Sequence, residues 1–174
     1  MLFSVLLLLT SSSALPSPNF PNPPGVPGLL FASRIEASNL PPDPWTGTRL
    51  ITEASNRSWP NGACGPGDAY SALDAVRQCA ISLVSEIPHW RCPCSDRLDG
   101  PGVYHCMIMD GGEPAAVVKS WSRTNKSQSA TCGEVGQAVI WVLDNCSRND
   151  RQDTAGWKSV PGNENHLVGV TNWR

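Results

Sequence analysis

Cys64 and His166 are the two residues of this 174-residue chain whose types and settings invite covalent chemistry. Cys64 stands in the turn-rich run NGACGPGD just before a helical pattern, and His166 opens the strand-like run NHLVGV. A thiolate entering a helix, within hydrogen-bond reach of an imidazole, is what nucleophilic attack on an acyl group requires. No residue that would orient the imidazole is evident, and six other cysteines compete to oxidise Cys64. His89-Trp-Arg-Cys92-Pro-Cys94, with His105-Cys106 downstream, supplies zinc-ligand types, yet its spacing matches no standard pair of knuckles. No metal and no cofactor is expected. No Ser-His-Asp elbow, phosphate loop or HExxH motif occurs, although any two of the acidic residues could converge for sugar hydrolysis. Exposed aromatic rings are the other option. Of the seven tryptophans, Trp157 in the polar loop Arg148 to Asn165 is the most exposed candidate, with Trp45 and Trp59 upstream. Trp157, Asn163 and His166 are therefore the candidate binding residues, the rings suited to stacking on sugars or contacting a partner.

These residues must be positioned by a few elements. Thr131 and Glu134 form a capping box at the start of a helix whose stripe is Val135, Ala138, Val139, Val142 and Cys146. A second helical pattern begins at Ser71 with Asp74 three positions on. It buries Leu73, Val76, Ala80, Leu83 and Ile87, and stops at Pro88. Val103 to Met109 and Ala115 to Trp121 read as strands around the turn Asp110-Gly-Gly-Glu113. Residues 122 to 130 read as an exposed loop, and Leu167 to Trp173 as a closing strand. Arg49 to Glu53 is a possible first strand. The order predicts an α+β fold, an antiparallel β-sheet with two α-helices packed on one face and stapled by disulfides.

Composition divides the chain. Residues 1–14 match a secretory signal peptide, with an apolar run too short to span a membrane. Residues 15–60 carry ten of the sixteen prolines and read as a flexible arm without a dibasic processing site. Residues 61–174 hold every cysteine and form the predicted domain. A net charge of −2 offers no basic stripe for phosphates, which argues against nucleic acid as a partner. Neither is stable membrane insertion expected. The destination is extracellular.

In that compartment Cys64, Cys79, Cys92, Cys94, Cys106, Cys132 and Cys146 read as a disulfide framework. Cys132 and Cys146 end one helix, roughly 21 Å apart, beyond the reach of a bridge. Cys79 or Cys146 is expected to join Cys106, which would staple helix to sheet. Cys92 and Cys94 should seek separate partners, and one thiol is left over. Asn56, Asn125 and Asn145 begin N-glycosylation sequons, the last with a cysteine in its middle position.

A cysteine entering a helix (AVRQC79), one in a strand (YHC106MIM) and a helix ending in cysteine (AVIWVLDNC146) resemble secreted cysteine-rich fungal proteins. So do the loop TAGW157 and the last strand NHLVGVTNW. The nearest families are the killer-toxin-like proteins and the related necrosis-inducing effectors. Two features depart from their patterns: the CPC pair is extra, and no cysteine follows the final strand. The resemblance implies a secreted effector or toxin-like protein that binds a host or competitor protein or cell-surface component and modulates cell death or immunity. The alternatives are a small hydrolase, cysteine-peptidase-like through Cys64 and His166, and a carbohydrate- or wall-binding protein.

Overall fold

The computed structural model describes residues 29–30, 45–53, 58–59, 61–111 and 113–172. The expected signal peptide, most of the proline-rich arm, Asn56 and Trp173 lie outside them. In order the elements are β1 (Leu29–Leu30), α1 (Gly47–Thr52), β2 (Ser58–Trp59), β3 (Gly62–Cys64), β4 (Ser71–Ala72) and α2 (Leu73–Ile81). A π-helical turn, Ser82–Glu86, extends α2. Then come β5 (Arg91–Pro93), β6 (Val103–Asp110), β7 (Glu113–Ser122), β8 (Ser129–Thr131) and α3 (Cys132–Cys146). β9 (Asp153–Thr154), β10 (Gly156–Val160) and β11 (Asn163–Thr171) complete the chain.

α3 forms where its capping box requires. Thr131 Oγ1 accepts from the Glu134 N–H at 3.2 Å, and Glu134 Oε2 accepts from the Thr131 N–H at 2.8 Å. The cap expected at the other helix is absent. Ser71 pairs with Thr154 in the β4–β9 ladder, so α2 starts at Leu73, whose N–H donates to the Gln152 carbonyl at 2.9 Å. A tertiary contact thus satisfies a group that a side-chain cap would otherwise serve.

Among the described residues the ladders between strands are antiparallel, and the main sheet has the order β1-β6-β7-β11-β10-β3-β2. Gly111, at φ +59°, supplies the left-handed residue for the β6–β7 turn. Side chains alternate across the sheet. Ile108, Ala116, Val118, Val168 and Val170 meet Val76, Cys79, Leu83, Val135, Val139 and Val142, the apolar stripes of α2 and α3. The fold is α+β, with α2 and α3 on one face.

The opposite face is covered as well. Trp45 and Leu50, from α1 and its approach, pack with Trp121, Trp157 and Leu167. Arg49 to Glu53 is therefore helix rather than strand: Thr46 caps α1 by accepting from the Arg49 N–H at 3.1 Å, and Arg49 pairs with Glu53 one turn on. The folded unit takes in residues assigned to the arm, and Trp45, expected to be exposed, is fully buried. Lys119 points to this face from β7. It is also fully buried, donating to the Trp45 carbonyl at 2.6 Å beside the Tyr104 and Trp121 rings.

Three disulfides join the layers: Cys64–Cys146, Cys79–Cys106 and Cys92–Cys132, with Cα separations of 5.1, 5.7 and 5.0 Å. Of the two bridges considered for Cys106, Cys79 makes it, and Cys146 reaches β3 instead. Cys92 and Cys94 both face inward, as residues two apart on a strand do. Cys94 is the odd thiol, buried and raised in pKa by that burial.

Candidate functional site: a clamped tryptophan ridge

The residues singled out from the sequence do not assemble. Cys64 has its sulfur in the bridge to Cys146, so it supplies no thiolate in this form. His166 is fully buried on the helix-covered face of β11, opposite Ser122. Burial pulls its pKa down to about 4, against an upward pull from Glu134. The Cys64–His166 nucleophile is thus replaced by a cross-link and an enclosed neutral imidazole. Cys92 and Cys106 are likewise bridged, which removes their sulfurs from the zinc reading.

Trp157 is not the exposed ring its loop suggested. It lies in β10 opposite Gly169 and Ala63, is 7 % exposed, and stacks beneath the Arg123 guanidinium at 4.9 Å. The expected loop is largely the β10–β11 hairpin. Trp157 and His166 occupy opposite faces of the sheet. Asn163, half-buried at the start of β11, accepts from the Asn165 N–H at 3.2 Å and so shapes the turn.

His166 has a second imidazole nearby. His105 Nε2 lies 2.6 Å from Ser120 Oγ, whose hydroxyl donates to the Pro93 carbonyl at 3.2 Å; Nε2 of His105 is therefore the donor of that pair. Burial, followed by the proximity of His166, lowers His105 to about 3. Neither nitrogen of His166 meets a hydrogen-bond partner among the described residues. Two buried, neutral imidazoles cannot reach an outside substrate.

The surface offers something different at His89-Trp90-Arg91. Pro88 stops the α2 pattern, and the chain crosses to the start of α3. There the Trp90 carbonyl accepts from the Cys132 N–H at 2.8 Å and the Pro88 carbonyl from the Gly133 N–H at 3.0 Å. With Thr131 Oγ1 on the Glu134 N–H and Glu134 Oε2 on the Thr131 N–H, all four of the amides that open this helix are satisfied. Gly133 permits the approach: a Cβ there would stand 3.1 Å from the Pro88 oxygen. Arg91 and Cys92 then pair with Thr131 and Ala130 in the β5–β8 ladder, and Cys92 is bonded to Cys132. Arg91 donates to Ser129 Oγ at 3.0 Å. Hydrogen bonds and a disulfide thus clamp the backbone, while His89 and Arg91 are exposed and the Trp90 ring stays 51 % exposed.

The triplet is visible in the sequence between the helix stop and Cys92. Its exposure is not, because that depends on the bridge to Cys132. Comparison with protein-family models, with curated proteins and with solved structures found no match.

Proposed function

We propose that this chain is a secreted effector or toxin-like protein that acts by binding a host or competitor protein or cell-surface component, with consequences for cell death or immunity. The observation that carries the reading is the rigidly mounted Trp90 between the exposed side chains of His89 and Arg91. Tryptophan and arginine dominate the energetics of protein interfaces. A clamped backbone lowers the ordering cost of association. The resemblance of the cysteine and helix pattern to killer-toxin-like and necrosis-inducing proteins supports the same class. A sugar-stacking platform is less well supported, since Trp45, Trp121 and Trp157 are all buried.

The test applies purified disulfide-intact protein to leaf tissue from several plants and to competing fungal cells, scoring death, immune output and growth. Trp90→Ala should keep the melting temperature and lose affinity for the responding cells on the order of 30-fold, as expected for an interface hot spot. A silent wild type across the panel counts against the reading. A fully active Trp90→Ala removes the ridge from it.

A further inference from the structure

The three sequons meet different fates in the folded chain. Asn56 lies outside the described residues. Asn145 sits in the last turn of α3, half-buried, its Nδ2 donating back to the Trp141 carbonyl at 2.8 Å. The middle residue of its sequon, Cys146, is bonded to Cys64. A sugar on Nδ2 would have to fit against the Trp141 turn beside that bridge.

Asn125 is the opposite case. It lies in the loop between β7 and β8, exposed with Lys126 and Ser127, at φ +53°. No hydrogen bond engages its side-chain amide among the described residues. The loop itself is anchored: the Arg123 N–H donates to the Asn165 carbonyl at 2.9 Å, and Gln128 Nε2 to Thr124 Oγ1 at 3.2 Å. Beside Asn125 opens a groove of about 460 Å³, lined by Thr48, Arg97, Leu98 and Asp99. Arg97 and Asp99 form a two-point ion pair there, at 3.1 and 3.0 Å, and Leu98 adds an apolar wall. A mixed polar and apolar cleft of this kind suits a pyranose, which presents hydroxyls at its rim and C–H groups on its faces.

We propose that Asn125 is N-glycosylated and that the first sugars of its glycan lie in this groove. In the modification, Nδ2 loses a proton and bonds to the anomeric carbon of an oligosaccharide. The bond from that carbon to a lipid-linked diphosphate donor breaks, and the lipid diphosphate leaves. An oligosaccharyltransferase of the secretory route supplies donor and catalyst. The groove is thereby covered by the protein's own glycan; Trp90 is not among its lining residues. The proposal rests only on the secretory part of the function above, and its test supplies that route independently.

The full chain is placed behind a yeast secretion leader, and the disulfide-intact secreted protein is mapped by peptide mass before and after enzymatic deglycosylation. Occupied Asn125 with bare Asn145 is the expected result. Bare Asn125 in protein carrying all three bridges overturns the site. Ser127→Ala removes the sequon while leaving Asn125 in its left-handed conformation, and should abolish the modification on that peptide with the fold retained. For the groove, hydroxyl-radical labelling of Leu98 should rise several-fold in Ser127→Ala over the glycosylated protein, with Leu143 unchanged. Equal labelling of Leu98 overturns the groove assignment and leaves the site assignment to the mapping result.

Discussion

His166 carries a thermodynamic signature. An unfolded histidine titrates near 6.5, whereas burial holds native His166 at about 4 and His105 at about 3. Below pH 6.5 the unfolded chain therefore takes up protons that the native state refuses. The stability associated with these neutral rings is complete above about 6.5. It is lost as the pH falls towards 4, and further towards 3 for His105. With about 1.4 kcal/mol for each unit of pKa difference, the loss by pH 4 is on the order of a few kcal/mol. The melting temperature should fall on acidification over that window. His166→Leu, which removes its titration and two unpartnered nitrogens, should reduce the acid slope to the part due to His105 without weakening the fold at pH 7. A variant with the same acid slope as the wild type would show that His166 is not responsible.

α1 decides how the sheet's second face is used, and Lys119 ties it down. The lysine ammonium donates to the Trp45 carbonyl in a fully buried setting. Replacing it with methionine keeps the aliphatic length and leaves that carbonyl without its donor. The expected cost is about 1–3 kcal/mol, concentrated in residues 45–53. Trypsin should then cleave after Arg49 while the bridged helices resist; unchanged resistance at Arg49 would refute the tether. The same element marks where sequence reading succeeds and fails. α3, the β6–β7 hairpin and the body of α2 were legible because their periodicity, caps and turn residues are local. α1 was not, since it emerges from a proline-rich stretch and is defined by Trp45 and Leu50 docking on Trp121. Without that cover, Trp157 reads as an exposed loop ring. β10 was overlooked although Trp157-Lys-Ser-Val160 precedes a Pro161-Gly162 turn, a hairpin signal outweighed by the polarity of its surroundings. The exposure of Trp90 was not legible, because only the Cys92–Cys132 bridge reveals that its segment lies on top of α3's first turn.

The bridges turn these layers into one cooperative unit. Cys132 and Cys146 fix both ends of α3, one to β5 and the other to β3, while Cys79–Cys106 binds α2 to β6. Their sequence separations are 82, 40 and 27 residues for Cys64–Cys146, Cys92–Cys132 and Cys79–Cys106. Loop-closure entropy then ranks them at about 4.5, 3.9 and 3.6 kcal/mol. Removing Cys64 and Cys146 together by alanine should accordingly lower the denaturant midpoint most. Cys94→Ala should shift it least, because that thiol cross-links nothing. The native protein should expose no thiol to a disulfide reagent and the unreduced denatured chain a single one, since Cys94 is buried and its pKa is raised. Two or more reactive thiols on unreduced denaturation would contradict the pairing. The Cys92→Ala, Cys132→Ala double variant separates architecture from function: its loss of stability should be intermediate, yet it should lose target binding as fully as Trp90→Ala, because the bridge that closes β5 onto α3 also presents the tryptophan.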